Sequence, residues 1–136
     1  MLITLLFLCL FSAISLLFVD LKYIRSLSFY STLLLFLYSL NLLFFFDPFL
    51  SSYQYQFYIT WGDFFNIYYS IGIDGLSLFF VLLTTFLMPF CLLLSWVNVS
   101  YRLREFAVCM LIIEFFLINV FTVLDFFFFI FFLRVF

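Results

Sequence analysis

Apolar residues run along this chain in long stretches that short polar segments separate. Four of these stretches, residues 2–19, 27–46, 73–97 and 106–124, can cross about 30 Å of hydrocarbon as helices at about 1.5 Å per residue. A fifth stretch, residues 125–136, is too short to do so. Because hydrocarbon offers backbone groups no water to bond, each stretch is predicted to be helical.

The segment between the second and third stretches has a different pattern. Tyr and Phe alternate with Gln over residues 53–57, and Trp61-Gly62-Asp63 supplies a turn before residues 64–70. Tyr and Trp suit the headgroup region of a bilayer, so the pattern predicts a short interfacial β-hairpin. The expected fold is therefore an all-α membrane protein: a single domain over residues 1–136, with four full transmembrane helices, a partial fifth and this hairpin between helices 2 and 3.

Composition supports lipid as the main solvent of the chain. Hydrophobic residues make up 70% of the sequence and charged residues only 9%, which is too few to coat a water-exposed surface. The net charge of −2 also argues against a nucleic-acid partner, because such a partner needs a clustered basic surface. We therefore expect contacts with lipids and none with nucleic acid.

The basic residues predict which way the helices are oriented. Lys22 and Arg25 lie between the first two stretches, and Arg102 and Arg104 lie between the third and fourth. Four consecutive spans place both connections on one face, which the positive-inside rule assigns to the cytoplasm or the matrix. The N-terminus is then expected on the opposite side, together with residues 47–74.

The sequence shows no residues suited to a metal or redox centre. Cys9, Cys91 and Cys109 are far apart within apolar stretches, and the chain has no His to complete a metal site. It also lacks a Gly-rich nucleotide-binding loop and any nucleophile–base pair. We expect the three cysteines to be small buried hydrophobic residues.

Isolated polar residues within the apolar stretches are the candidates for function. Glu114 lies near the middle of the fourth stretch, where an acidic group costs at least about 2.5 to 3.5 kcal/mol, and such groups often serve ion or proton movement. The alternative is a protonated carboxyl that bonds a neighbouring helix. Asn41 and Asn119 are expected to form interhelical hydrogen bonds.

Other residues are expected to have structural roles. Asp74 and Asp125 each stand just before an apolar stretch, where a carboxylate can cap free backbone N–H groups. Pro89 should interrupt and kink the third helix and free the carbonyl of Thr85. The hydroxyls of Thr84 and Thr85 are expected to offset part of that loss.

Arg134 lies nine residues after Asp125, within the short fifth stretch. If the fourth and fifth helices run antiparallel, Arg134 and Glu114 lie at nearly the same depth in the bilayer. Two unpaired charges in hydrocarbon would cost several kcal/mol, so the sequence predicts an ion pair or hydrogen bond between these side chains. The alternative is that another polypeptide supplies the partner of Arg134.

Two blocks of sequence resemble a known family. Residues 72–80 read Gly-Ile-Asp-Gly-Leu-Ser-Leu-Phe-Phe and are followed by Leu-Leu-Thr-Thr-Phe-Leu at 82–87. This run closely resembles the start of a helix in NADH dehydrogenase subunit 4, an antiporter-like, proton-pumping chain of respiratory complex I. The second block, in the family's order and spacing, is Glu114-Phe115, Val120-Phe121 and Leu124-Asp125.

The resemblance covers only the N-terminal portion of a family member, and its implications follow from that. It implies a non-redox membrane-arm subunit of a proton-translocating NADH:ubiquinone oxidoreductase, a translocase, in the mitochondrial inner membrane. The chain would be multi-pass, with its N-terminus on the intermembrane-space side. NADH, flavin, iron–sulfur clusters and quinone would be bound by other subunits, and this chain would hold no cofactor.

The same resemblance assigns roles to two residues. Glu114 falls on a family carboxylate, as a candidate proton-path group, whereas Arg134 occupies the position of the family's key glutamate. The partners implied are other membrane-arm subunits and a separate chain that carries the remaining helices. Two alternatives stay open: a structural or assembly fragment without its own pumping, and a subunit of a multisubunit cation/proton antiporter.

Overall fold

The computed structural model describes residues 1–61, 67–98, 101–124 and 126–135. The elements, in chain order, are α1 (Leu2–Phe18), α2 (Ile24–Phe44), β1 (Gln54–Trp61), β2 (Ile67–Ile73), α3 (Gly75–Asn98), α4 (Leu103–Thr122) and α5 (Phe126–Val135). The chain is mostly helical, as predicted. Helices α2, α3 and α4 are long and apolar enough to cross a membrane, while α1 is a shorter apolar helix of 17 residues.

Three helices begin two or more residues away from their predicted starts, for physical reasons. Helices α2 and α4 begin three residues earlier than expected, at Ile24 and Leu103, because their first turns contain charged residues that a search for apolar stretches leaves out. Glu105 suits the first turn of α4, where the helix dipole favours an acid. Helix α3 begins at Gly75 rather than at residue 73, because Ile73 is paired in the sheet with Gln54.

Helix α4 is the centre of the helix packing, since it contacts α1, α2, α3 and α5. Helix α1 also packs on α2, and α2 packs on α3. Most of the buried apolar side chains in the described part of the chain form two clusters. One contains Leu2, Leu5, Leu6, Leu42, Ile71, Ile73, Leu78, Val81 and Ile118. The other contains Cys9, Ala13, Leu16, Ile24, Leu35, Ala107 and Leu111.

The segment predicted to form a hairpin contains two antiparallel strands, β1 and β2. Their register shifts between Gln54 and Phe57, where Tyr55 has a positive φ of 55°. The predicted turn at Gly62 and Asp63 lies outside the described residues. Beyond β2, the Leu124 N–H donates to the Ser70 carbonyl over 2.9 Å, so the end of α4 joins the edge of the sheet. The position of this sheet at the membrane interface stays a prediction.

Helix α3 contains Pro89 within the single helix Gly75–Asn98. The hydroxyl of Thr84 donates to the Val81 carbonyl over 2.8 Å, and that of Thr85 donates to the carbonyls of Val81 and Leu82 over 3.1 Å. Both hydroxyls therefore bond the preceding turn, and the prediction that they offset the N–H missing at Pro89 is wrong. The kink itself stays a prediction.

Candidate functional site

Glu114 is fully buried within the chain, at 0% exposure. It shares one face of α4 with Ala107, Leu111 and Ile118, which follow the spacing of three and four residues that places side chains on one side of a helix. Those three residues are apolar and buried as well. The carboxyl is therefore carried inward by the same face that buries α4 in the helix packing.

Helix α1 supplies a side chain close to the Glu114 carboxyl. The thiol of Cys9 donates to the Leu111 carbonyl over 3.5 Å, one turn before Glu114. Cys9 also lies close enough to Glu114 for the two side chains to interact electrostatically. The carboxyl thus lies at the interface between α1 and α4. The predicted burial of Cys9 is confirmed, whereas Cys91 and Cys109 are exposed within the chain.

Neither carboxyl oxygen of Glu114 has a hydrogen-bond partner among the described residues. A buried polar group without a partner costs about 1 to 3 kcal/mol, and a charged one costs more. Buried polar atoms are nearly always satisfied in folded proteins, so such an exception needs an explanation. Within an apolar helix, an unpartnered acid suggests a site for ion or proton movement.

The predicted pair between Glu114 and Arg134 is wrong. Arg134 is exposed and has no ion-pair or hydrogen-bond partner in the part of the chain that the structure describes. Helix α5 packs instead on Phe116, whose ring centroid is 6.1 Å from that of Phe132. Glu114 and Phe116 are two residues apart, which is about 200° around a helix. Glu114 therefore faces α1, whereas α5 lies on the other side of α4.

Asn119 is fully buried, but its partner is not the helix that was expected. Its side-chain oxygen accepts a 2.5 Å hydrogen bond from the Tyr69 hydroxyl on β2, and its amide donates to the Phe115 carbonyl of its own helix over 2.8 Å. Burial raises the pKa of Tyr69 to about 12. Sequence reasoning missed Tyr69, although it lies in the aromatic segment noted before α3. The bond fixes β2 to α4, five residues after Glu114.

Asn41 also lacks the interhelical bond predicted for it. Its amide donates to the Leu37 carbonyl of α2 over 3.3 Å, and its side chain is exposed. A contact between helices instead joins two hydroxyls, those of Ser39 on α2 and Thr85 on α3, at 2.9 Å. Both residues are fully buried. Small hydroxyl side chains let two apolar helices approach closely while their polar atoms stay satisfied.

Asp74 stands at the start of α3, and Asp125 lies outside the described residues. The Oδ1 atom of Asp74 accepts from the Gly75 N–H over 2.7 Å, and the Asp74 N–H donates to the Ser77 hydroxyl over 2.7 Å. The second bond corresponds to the reciprocal half of a capping box. These contacts satisfy backbone donors at the strand-to-helix junction.

Arg104, in the first turn of α4, connects α4 to the C-terminal end of α1. Its guanidinium Nη2 donates to the Val19 carbonyl over 2.7 Å, at the end of α1. A cation suits a helix C-terminus, where carbonyl groups lack partners. At the same end of the molecule, Arg102 forms an exposed pair with Glu105 at 3.5 Å. Among the described residues, no group of three or more His, Cys, Asp or Glu side chains could hold a metal ion.

Together these features define a class: a mostly helical chain with helices long and apolar enough to cross a membrane. One of these helices carries a buried acid that has no hydrogen-bond partner among the described residues. Comparison with known proteins gives the particular likeness. The chain is 46% identical over 104 residues to NADH-ubiquinone oxidoreductase chain 4 of Chondrus crispus, an overlap of 76% of this chain and 21% of that relative. The predicted resemblance is therefore confirmed.

Two further relatives with the same printed name support this likeness. The chain is 42% identical over 106 residues to chain 4 of Triticum aestivum, covering 78% of this chain and 21% of the relative. It is 48% identical over 73 residues to chain 4 of Acanthamoeba castellanii, covering 54% of this chain and 15% of the relative. No family model matches the chain. The chain spans about a fifth of the length of the first of these relatives.

Proposed function

We propose that this chain works in the mitochondrial inner membrane as part of a proton-translocating NADH:ubiquinone oxidoreductase, with Glu114 as a proton-path carboxyl. The observation that carries the proposal is the pair of buried carboxyl oxygens without hydrogen-bond partners in the described structure. Support for the enzyme comes from the relatives, all named as chain 4 of NADH-ubiquinone oxidoreductase. The electron-transfer cofactors belong, in this proposal, to other subunits.

An unpartnered carboxyl is suited to moving a proton. Because no hydrogen bond from the described part of the chain holds Glu114 in one protonation state, a small change in its surroundings can decide whether it carries the proton. In the apolar interface the neutral acid is the cheaper form, since an isolated carboxylate there is poorly solvated. When water or a cation comes close, the acid releases its proton to one side, and the carboxylate is later protonated from the other.

The proposed arrangement in the membrane follows from helix length and charge. Helix α4 has 20 residues, or about 30 Å, which matches the hydrocarbon thickness. The 17 residues of α1 span about 26 Å, close to the lower limit for a crossing helix. Helices α1 to α4 would cross fully and α5 in part. The basic connections would face the matrix, with the N-terminus and the sheet on the intermembrane-space side.

The test compares two acids of the same helix in the assembled, energised enzyme. Glu114→Gln keeps the shape of the side chain but removes the ionisable proton, and it should lower the number of protons pumped per electron. Glu105→Gln is the matched control, because Glu105 is exposed in the first turn of α4. An unchanged proton-to-electron ratio in Glu114→Gln, at normal assembly, would rule out the proton role.

A structural role is the second candidate, and Arg134 is the observation that favours it. The resemblance places a glutamate at this position in the family, whereas this chain has an exposed cation there. A chain that acts only as a scaffold would tolerate Glu114→Gln but would be needed for assembly. Loss of the assembled enzyme on deletion of the chain, together with normal pumping in Glu114→Gln, would select this alternative.

A further inference from the structure

The packing of α5 on α4 fixes the depth of Arg134. Phe132 contacts Phe116, which lies six residues, or about 9 Å, before the end of α4 at Thr122. Arg134 is two residues beyond Phe132, which places it about 12 Å from the end of α4. In a hydrocarbon layer about 30 Å thick, this is close to the middle.

A cation at this depth needs a partner that the described part of the chain does not provide. Arg134 is exposed and unpaired there, and the acid at its own depth, Glu114, is enclosed on the opposite side of α4. An unpaired Arg at the centre of a bilayer costs at least about 2.5 to 3.5 kcal/mol. Snorkelling to the headgroups serves residues near the membrane surface, whereas Arg134 lies about 12 Å below one surface and about 18 Å below the other.

The surroundings of Arg134 on α5 form a face suited to another helix. Ile130 and Phe131 lie four and three residues before Arg134, so all three side chains share one side of α5. Ile130 is 48% exposed and Phe131 is 54% exposed. This face, Ile130–Phe131–Arg134, is an apolar surface with a single cation, and helices that pack in membranes often join through one polar contact of this kind.

We propose that the Ile130–Phe131–Arg134 face binds a transmembrane helix of a neighbouring subunit that carries an Asp or Glu at the same depth. A lipid phosphate does not fit, because headgroups lie at the surface of the bilayer and Arg134 lies near its middle. A carboxylate fits the planar guanidinium through two parallel hydrogen bonds. The neighbour is another chain of the multisubunit enzyme, so the inference rests on the proposed function.

The test uses the whole enzyme and follows assembly rather than pumping. Arg134→Met removes the charge but keeps a long flexible side chain, and it leaves the partner's acid buried and unpaired. We expect at least about a tenfold fall in the share of this chain found in assembled enzyme on native gels. Arg134→Lys should keep most of the assembly. Leu133→Met, on α5 but outside this face, is the matched control that should assemble normally.

Misfolding of the variant is excluded by a second measurement. Removing an unpaired charge eases insertion into hydrocarbon, so Arg134→Met should still accumulate in alkali-extracted membranes at the wild-type level. A fall in assembly without a fall in membrane insertion then reports a lost contact. Normal assembly of Arg134→Met would overturn the proposal.

A photo-crosslinking amino acid in place of Phe131 identifies the partner. The expected product joins α5 to a transmembrane segment of another subunit with an acid near its centre. Changing that acid to its amide should restore assembly of Arg134→Met, because neither side then carries an unpaired charge. Crosslinks to lipid alone, or only to this polypeptide itself, would overturn the proposal. Because none of these readouts measures pumping, they can fail while the Glu114 proposal stands, and the reverse.

Discussion

Replacing Glu114 with Met should stabilise the contact between α1 and α4 while abolishing any proton role of that position. The buried carboxyl has no hydrogen-bond partner among the described residues, so its removal relieves the cost of an unsatisfied group, about 1 to 3 kcal/mol. Met is unbranched and flexible and can fill the same space. By this reasoning the interface should open about five- to 150-fold less often. Glu114→Gln should show a smaller effect, because the amide stays polar.

The chain itself provides a probe for this opening. Cys9 is buried beside Glu114, whereas Cys91 and Cys109 are exposed and can be replaced by Ala. The rate at which a maleimide labels Cys9 in lipid bicelles then reports how often α1 separates from α4. Slower labelling of Glu114→Met is the expected result. Faster labelling would refute the reasoning, since it would mean that the carboxyl makes a stabilising contact.

Two further predictions concern the sheet. A Cβ at Gly72 would lie 2.9 Å from Leu124 Cδ1, which can swing away, and 3.2 Å from Tyr53 Cβ, which cannot move without its backbone. Gly72→Ala should therefore lower thermal stability by about 1 kcal/mol. Gly75→Ala should change it little, because the nearest atoms there lie at 4.0 Å. Burial raises the pKa of Tyr69 to about 12, against about 10 for an unfolded Tyr. The neutral phenol should therefore stabilise the folded protein fully below about pH 10, and this contribution should be lost as the pH rises through 12. The melting temperature of Tyr69→Phe should not show this decline.

The sequence predicted which segments are helical because length and hydropathy decide that in a membrane protein. It located the start of α3 less well, since Ile71 and Ile73 are as apolar as the helix that follows them. Both residues are β-branched and belong to β2, but a short apolar run before a helix has no periodicity of its own. In the sequence, Asp74 is the residue that marks this boundary. In the structure, its backbone N–H donates to the Ser77 hydroxyl in the first turn of α3.

The side of α4 on which each residue lies could not be predicted. Leu111 faces α1 and Phe116 faces α5, yet both are large apolar residues, and the pattern of α4 does not distinguish the two faces. Prediction of the depth of Glu114 needed only a count of residues along the helix. Prediction of its neighbours needed the order in which helices pack, which depends on side-chain shape across several helices.

Glu114 and Arg134 therefore lie at similar depth with both α4 and α5 between them, a separation of about 20 Å, or two helix diameters. At an effective dielectric constant of about 20, opposite unit charges at that distance attract by on the order of 0.8 kcal/mol. This attraction is smaller than the cost of about 2.5 to 3.5 kcal/mol for a single charge at mid-bilayer. The cost of each charge must therefore be offset separately. The enclosed acid avoids it by staying protonated and neutral, and the exposed cation requires a carboxylate from a neighbouring helix.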